Sequence, residues 1–514
     1  MENEDDELVG FNQDIEEKVV PNKQNSSCFK ICIIISISFL VIIAAIIFLY
    51  FFYLKKDKDN DYKNEDKAEN SLLQNYTFEV VFHTDTNNTY IAFDSVYEIL
   101  EMNIDGIKFY NTNLCILNNT GNHTVYILID LEKLNSLESF FAGKSNLKSV
   151  RFAKNLKSSN IRKLNHMFLR CYSLTSVDFS NFNTENVYDM RYMFSECRSL
   201  TSIDLSHFNT KNLKFTSFMF YDCKSLISID LSNLNFSQMC FMNDMFDSCY
   251  SLKYIKLPNL NCPRLEGVGG MFRECFNLTS LNLKDIKTNT PNLLYMDYMF
   301  YRCLSIKSID LSSWNTSRVI KFDNLFCGCP NLISIDISNF KTDKASNLDF
   351  MFAGCKELTS INISHFNFKN VDNMNCMFTY CDKLKIIDIS NLKTDNLVEL
   401  SRTFLNCISL EAIKMPENIV KVSYMDNIFY NCSKLTSIDL SNFNTENVIS
   451  MNNIFGGCSS LTSIDISSFK KGSFDTLHYI FDDSFPNYGN IKINRTFYNS
   501  LRKSDLYNWN ITFV

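Results

Sequence analysis

Twelve cysteines fall in one register along the chain: Cys171, Cys197, Cys223, Cys249, Cys275, Cys303, Cys329, Cys355, Cys381, Cys407, Cys432 and Cys458. Successive spacings are 26 residues, except for one of 28 and one of 25. A fixed period of roughly 20–50 residues marks a solenoid, a propeller or an array, in which each unit buries its apolar face only against its neighbours. The period therefore constrains the architecture before any single residue suggests a chemistry.

In the unit around Cys197, Phe194 stands three residues before the cysteine, as a Phe does in all twelve units from Phe168 to Phe455. Leu200, Ile203, Leu205 and Phe208 follow with the spacing L-x-x-I-x-L-x-x-F. Ile203-Asp204-Leu205 alternates apolar and polar, which predicts a short strand with one buried face. Met193-Phe194-x-x-Cys197-x-x-Leu200 repeats apolar groups every three residues, which predicts a single helical turn. Strand and helical turn together predict an α/β repeat solenoid.

The register runs past both ends of the cysteine array. Phe141, Leu147 and Val150 fit it with Lys144 in the cysteine place, and Phe481 and Ser484 fit it at the other end, giving fourteen coils. Degenerate first and last coils suit a solenoid, whose ends face water. The two extra residues of the long unit fall near Asn289-Thr290-Pro291, and the short unit loses its residue between Met415 and Phe429, so length changes map to loops. At about 4.8 Å per stacked strand the coils predict a rod roughly 65 Å long.

Met193-Phe194, Cys197, Leu200, Ser202-Ile203-Asp204-Leu205-Ser206 and Phe208-Asn209-Thr210 closely resemble the repeat of the BspA-like leucine-rich repeat family, the 26-residue bacterial-surface-protein repeat. The resemblance spans Phe141 to Ser484. It implies a leucine-rich-repeat-like right-handed coil on a cell-surface protein, and a role in adhesion or in binding host or matrix. That association is analogy at the level of fold, not of a site.

The flanks divide the rest. Residues 1–30 read as an acidic cytoplasmic tail. Residues 31–54 hold no charge, Gly or Pro over 24 residues, enough for about 36 Å of helix, and read as a transmembrane signal anchor. Residues 55–71 read as a charged stalk, 72–140 as a β-rich N-terminal cap, 141–484 as the solenoid and 485–514 as a C-terminal cap. The sequence reading thus expects a single-pass protein of the cell membrane with its repeat domain outside. Lys55, Lys56, Lys58, Lys63 and Lys67 against Lys18, Lys23 and Lys30 favour the opposite orientation, with cytoplasmic repeats. Candidate glycosylation sites at Asn75, Asn87, Asn118, Asn122, Asn235, Asn277, Asn315, Asn362, Asn431, Asn494 and Asn510 favour the exterior one. Net charge is −7, with no basic stripe to favour nucleic acid.

Three constellations bear on chemistry. The cysteine ladder reads either as a disulfide framework or as a column of buried free thiols. Parallel Cβ vectors about 5 Å apart favour packing, and the off-register Cys115, Cys240, Cys262, Cys327 and Cys376 suit disulfides better. A straight line of thiols with no C-x-x-C pair argues against a metal. Cys28 and Cys32 beside the anchor are candidates for acylation. The second constellation is an aspartate column on the exposed side of the strand: Asp178, Asp204, Asp230, Asp310, Asp336, Asp388, Asp439 and Asp465, each with a Ser two residues on. It reads as a binding face for a cationic partner, as a calcium site, or as a solvated strand edge whose Asp and Ser bond locally. The third is the absence of catalytic patterns. The six histidines have no ligand spacing, thirteen glycines leave little for phosphate loops, and no nucleophile elbow or dinucleotide fingerprint occurs. No cofactor is expected and no enzyme.

The expected function is recognition of a protein or glycan ligand, with adhesion, through the polar strand face by many shallow contacts. The alternative is a structural surface coat or spacer without a specific ligand.

Overall fold

The computed structural model describes residues 73–514 apart from 155, 157, 282, 284–287, 391, 417–418, 472–479, 482–487, 502–505 and 508. Within them the 26-residue period becomes a parallel, in-register stack. Strands β9 (Ser228–Asp230) and β10 (Tyr254–Lys256) pair Ile229 with Ile255, and β11 (Ser308–Asp310) and β12 (Ser334–Asp336) pair Ile309 with Ile335. The alternation read from the sequence holds in β9 and β10, where the central Ile is buried and its two flanking residues are exposed. A second ladder runs from Ser136 through Lys163, Asp189, Phe215 and onward to Ser450 in twelve successive parallel bridges. The solenoid thus has about twelve bridged turns.

The expected α/β class is corrected here: the fold is a β-solenoid with almost no helix. Among the described residues helix is found at Leu73 and Leu506, in a 3₁₀ turn at Leu131–Lys133 and in α1 (Arg495–Tyr498). The Phe-Cys segment, expected to be helical, is a run of linked turns with two left-handed residues four positions apart. His166 and Arg170 have φ of 59° and 60°, and Tyr192 and Glu196 have 58° and 60°. A left-handed residue interrupts a right-handed helix, and the amides alternate between two kinds of partner instead. Phe168 N and Arg170 N donate to Met193 O and Ser195 O of the next coil, at 2.8 and 2.9 Å. Leu169 N and Cys171 N donate back to His166 O and Phe168 O of their own coil, at 3.0 and 3.1 Å. Three-residue apolar spacing is common to a helical turn and to this arrangement, so it does not separate them.

The single-pass membrane localisation is corrected too: no described helix is long and apolar enough to cross a membrane. Residues 31–54, on which that expectation rested, lie outside the described residues, as do the tail, the stalk, Cys28, Cys32 and Ser484.

The main core is a continuous apolar cluster from Phe78 to Trp509, with a second, small one formed by Leu73, Tyr76, Tyr126 and Ala153. Its spine is a column of fourteen Phe rings, from Phe141 to Phe481, with neighbouring centroids 5.3–6.0 Å apart and planes within 19° of parallel. That spacing lies inside the favourable range for offset stacking. At the N-terminal end β1 (Phe78–Thr84) pairs antiparallel with β6 (Gly121–Ile129) and with β7 (Leu147–Phe152). β7 in turn pairs parallel with β8 (Ser176–Asp178), so the sheet before the array is hydrogen-bonded into the first coil. Phe78 packs edge-on to Phe141 at 5.5 Å and covers the first ring. At the other end β16 (Ser463–Ile466), β17 (Gly489–Ile493) and β18 (Trp509–Phe513) continue the parallel stack, and Trp509 lies 6.4 Å from Phe481.

Candidate functional site

The cysteine ladder is a hydrogen-bonded device. All seventeen described cysteines are free, the off-register Cys115, Cys240, Cys262, Cys327 and Cys376 included. Each of the twelve ladder thiols donates to the carbonyl of the ladder Phe one coil earlier, from Cys171 Sγ to Phe141 O at 3.1 Å through Cys458 Sγ to Phe429 O at 3.0 Å. The same Phe carbonyl accepts the amide of its own coil's cysteine, as Phe168 O does from Cys171 N at 3.1 Å. Burial raises the Cys171 thiol to about 12 and moves the ladder thiols from Cys197 to Cys432 upward. A protonated, inaccessible sulfur is a packing group with a weak donor, not a nucleophile. In the first coil Lys144 takes the place, and its Nζ donates to Ala142 O at 3.2 Å.

A threonine column, absent from the sequence reading, stitches five of the coils to the coil that follows. Thr184 Oγ1 donates to Asn209 O at 3.2 Å and accepts from Asn209 N at 2.8 Å. Thr210 with Asn235, Thr316 with Lys341, Thr342 with Asn367 and Thr445 with Lys470 repeat the two-way bond. Thr290, in the 28-residue coil, is fully buried with its hydroxyl unpartnered. The recurring Asn-Thr pair was the available signal, but its partner lies 25 residues away.

On the strand face Asp310 pairs in register with Asp336 and Asp439 with Asp465, and each of the eight aspartates closes a local turn. The amide of the following Ser donates to Oδ1 of Asp178, Asp204, Asp230, Asp310, Asp336, Asp388, Asp439 and Asp465 at 2.8–3.1 Å. Asn362 makes the same turn with Ser364 at 3.1 Å. Lys256 and Lys414 reach the second oxygens of Asp230 and Asp388, both at 2.9 Å. The Ser232 hydroxyl, then Lys256, hold Asp230 at about 2, and Ser390 with Lys414 does the same for Asp388.

Of the eleven candidate glycosylation asparagines, Asn431 and Asn494 are half-buried and the others are exposed. Asn494 caps α1, accepting from Phe497 N at 2.8 Å, while its amide donates to Ser467 O and Phe469 O.

A groove of about 500 Å³ opens on the turn face, away from the strand columns, and the sequence reading missed it. Its lining includes His166, Tyr192, Phe218, Tyr221, Asp244, Asp247 and Arg273. These occupy the fifth and second places before the ladder cysteines, columns of mixed residue type that carry no periodic signal. The readable trace was Gly267-Val268-Gly269-Gly270, which concentrates three of the chain's thirteen glycines. Among the described residues no group of three or more His, Cys, Asp or Glu is placed to hold a metal ion.

Stacked coils, a continuous ring column and hydrogen-bonded end sheets define a β-solenoid repeat protein. The chain belongs to the DUF285 family, described as a Mycoplasma protein of unknown function, whose model matches residues 135–260, 294–415 and 398–495. Among solved structures it is similar to a leucine rich cell surface protein from Faecalibacterium prausnitzii A2-165, at 17% identity over 68% of this chain and 85% of that one, with a TM-score of 0.29. It is also similar to a chain of the TLR13–ssRNA13 complex, at 15% identity over 73% and 76% of the two chains, with a TM-score of 0.27. A chain of the Drosophila Toll–Spatzle complex is similar at 15% identity over 69% and 48%, with a TM-score of 0.24. No curated protein matches the sequence.

Proposed function

We propose that this protein works by recognition rather than catalysis, presenting the strand face of its solenoid to a protein or glycan ligand. One observation carries the reading: the strand face repeats an exposed Ser and a turn-forming Asp on an in-register parallel frame, as at Ser228 and Asp230, Ser334 and Asp336, and Ser437 and Asp439. Identical shallow contacts at fixed spacing add their energies without a deep pocket. Ile227, Tyr254, Ile333 and Ile386 leave 47–59% of their surface exposed beside these polar columns, and side chains of this kind anchor protein partners. The resemblance of the repeat to BspA-like units supports a surface role of the adhesive kind.

The coat or spacer reading rests on a different observation: each aspartate already serves its own turn. Asp204, Asp230, Asp310 and Asp336 changed together to Asn separates the two readings, because Asn362 shows that Asn closes the same turn. Purified protein applied to an array of glycans and matrix proteins is expected to bind, and the fourfold variant to lose most of that signal with an unchanged melting temperature. Binding that survives the four changes, or an array with no signal for the parent protein, favours the spacer.

A further inference from the structure

The turn face carries a second surface, independent of the strand face. The fifth residue before each ladder cysteine is left-handed, and in three successive coils its side chains stack. His166 lies 4.9 Å from Tyr192 with planes 7° apart, and Tyr192 lies 4.7 Å from Phe218 with planes 2° apart. Tyr221 meets Phe218 edge-on at 5.9 Å. In the next coil the column changes to Asp244, and in the one after to Gly270 (φ 61°). A Cβ at position 270 would lie 2.0 Å from Asp244 Oδ1, so the carboxylate occupies the space left by the missing side chain.

Two acids in this groove lack a cationic partner. Among the described residues no Lys, Arg or His forms an ion pair with Asp244 or Asp247, whereas Glu196 on the rim pairs with Arg170 at 2.9 Å. Asp247 is 6% exposed; Ser248 Oγ donates to its Oδ1 at 2.9 Å, and no described donor reaches its Oδ2. Arg273 stacks over Tyr298 and Tyr301, 5.4 and 5.5 Å from their centroids. Burial, then the neighbouring Asp247, raises Asp244 to about 7, and burial raises Asp247 to about 6; Arg273 offsets only part of the cost of taking both carboxylates from water.

The donor set selects the ligand. Two desolvated carboxylates beside the single Arg273 leave the groove with one negative charge in excess, which disfavours an anion. A divalent hard ion takes at least six oxygens, and with Glu196 held by Arg170 and Arg198 the groove supplies carboxylates free of an ion pair from only two residues. A sugar can stack on a ring but leaves the excess negative charge unbalanced; His166 and Phe218 cover both faces of Tyr192, so the ring surface open to a ligand is that of Phe218 and Tyr221. A single organic cation gains both an ion pair with the acids and attraction to the aromatic rings.

We propose that this groove binds a primary ammonium or guanidinium, the side chain of a lysine or arginine on a protein partner, between the carboxylates of Asp244 and Asp247 and the rings of Phe218 and Tyr221.

Calorimetric titration of the full chain with Nα-acetyl-lysine amide, Nα-acetyl-arginine amide, putrescine and the uncharged Nα-acetyl-norleucine amide tests it. The basic amides are expected to bind saturably and the norleucine amide not to bind. Asp244→Asn is expected to weaken binding about tenfold, the equivalent of one lost ion pair in a desolvated site. Phe218→Asn is expected to weaken it about threefold, from the lost ring. Both variants should fold, since Asn324, Asn427 and Asn453 stand in the same column with φ of 57°, 55° and 52°, and equal melting curves check this. Asp395→Asn, at an exposed acid outside both surfaces, should leave amine binding unchanged. No binding of any basic probe overturns the proposal, as does binding that is indifferent to both Asp244→Asn and Asp247→Asn. Binding of putrescine alone would overturn the side-chain source in favour of a free diamine.

Discussion

The thiol of Cys197 donates to the main-chain carbonyl of Phe168, one coil earlier, at 3.2 Å. Cysteine suits the place because it is small, apolar enough for a fully buried position and still carries a weak donor. Burial raises these thiols, Cys171 to about 12. An unfolded thiol ionises near about 8.5, so the folded state binds more protons above that value. Stability is therefore expected to be intact below about pH 8.5 and to fall as the pH rises toward the folded values. Denaturant midpoints measured across that range check the sign. Thiol reagent near neutral pH should leave the ladder untouched until denaturant is added.

Thr342→Val tests the threonine stitch. Valine keeps the shape of Thr342, but leaves the Asn367 amide and carbonyl without the hydroxyl they share at 2.7 and 3.0 Å. Loss of a buried two-way bond is expected to cost about 1–3 kcal/mol by equilibrium denaturation. The same change at Thr290, whose hydroxyl has no partner, should be neutral or stabilising.

Phe326→Ala removes one ring from the column, where Phe326 stacks on Phe300 at 5.7 Å and on Phe352 at 5.6 Å. A cavity of this size is expected to cost about 3–5 kcal/mol. Because each coil touches only its neighbours, the loss should separate two unfolding transitions rather than shift one. Hydrogen exchange along the chain reads the boundary directly.

Asp244 offers a pH test of the groove. Its raised value means that the folded protein holds a proton which the unfolded chain releases above about pH 4, so the residue detracts increasingly as the pH rises toward 7. Asp244→Asn is expected to stabilise near pH 8 by on the order of 1 kcal/mol, after allowance for solvent screening, and to be nearly neutral near pH 4. Melting curves at the two pH values check the difference.

Legibility followed periodicity. Ile229, Ile255, Phe220 and Cys223 were placed by the repeat because stacking demands one apolar residue per coil at each interior position. The aspartate column and its serines were visible for the same reason. The left-handed residues were not, since Tyr192 and Phe218 belong to types that rarely adopt positive φ, and nothing local announces it. The groove stayed hidden because its side chains come from five coils and no column in it repeats.

The chain's own pattern determined the period, the strand positions, the ring column and the thiol register, because a one-dimensional stack must satisfy each interior place in every coil. Tertiary structure alone decided that the Phe-Cys segment is a run of turns and not a helix, because alternate amides find acceptors in the neighbouring coil. It also decided that the thiols and threonines bond across coils and that Asp244 lies in the gap at Gly270. Those relations join residues 25 to 31 apart in sequence, and they exist only once the coils are stacked.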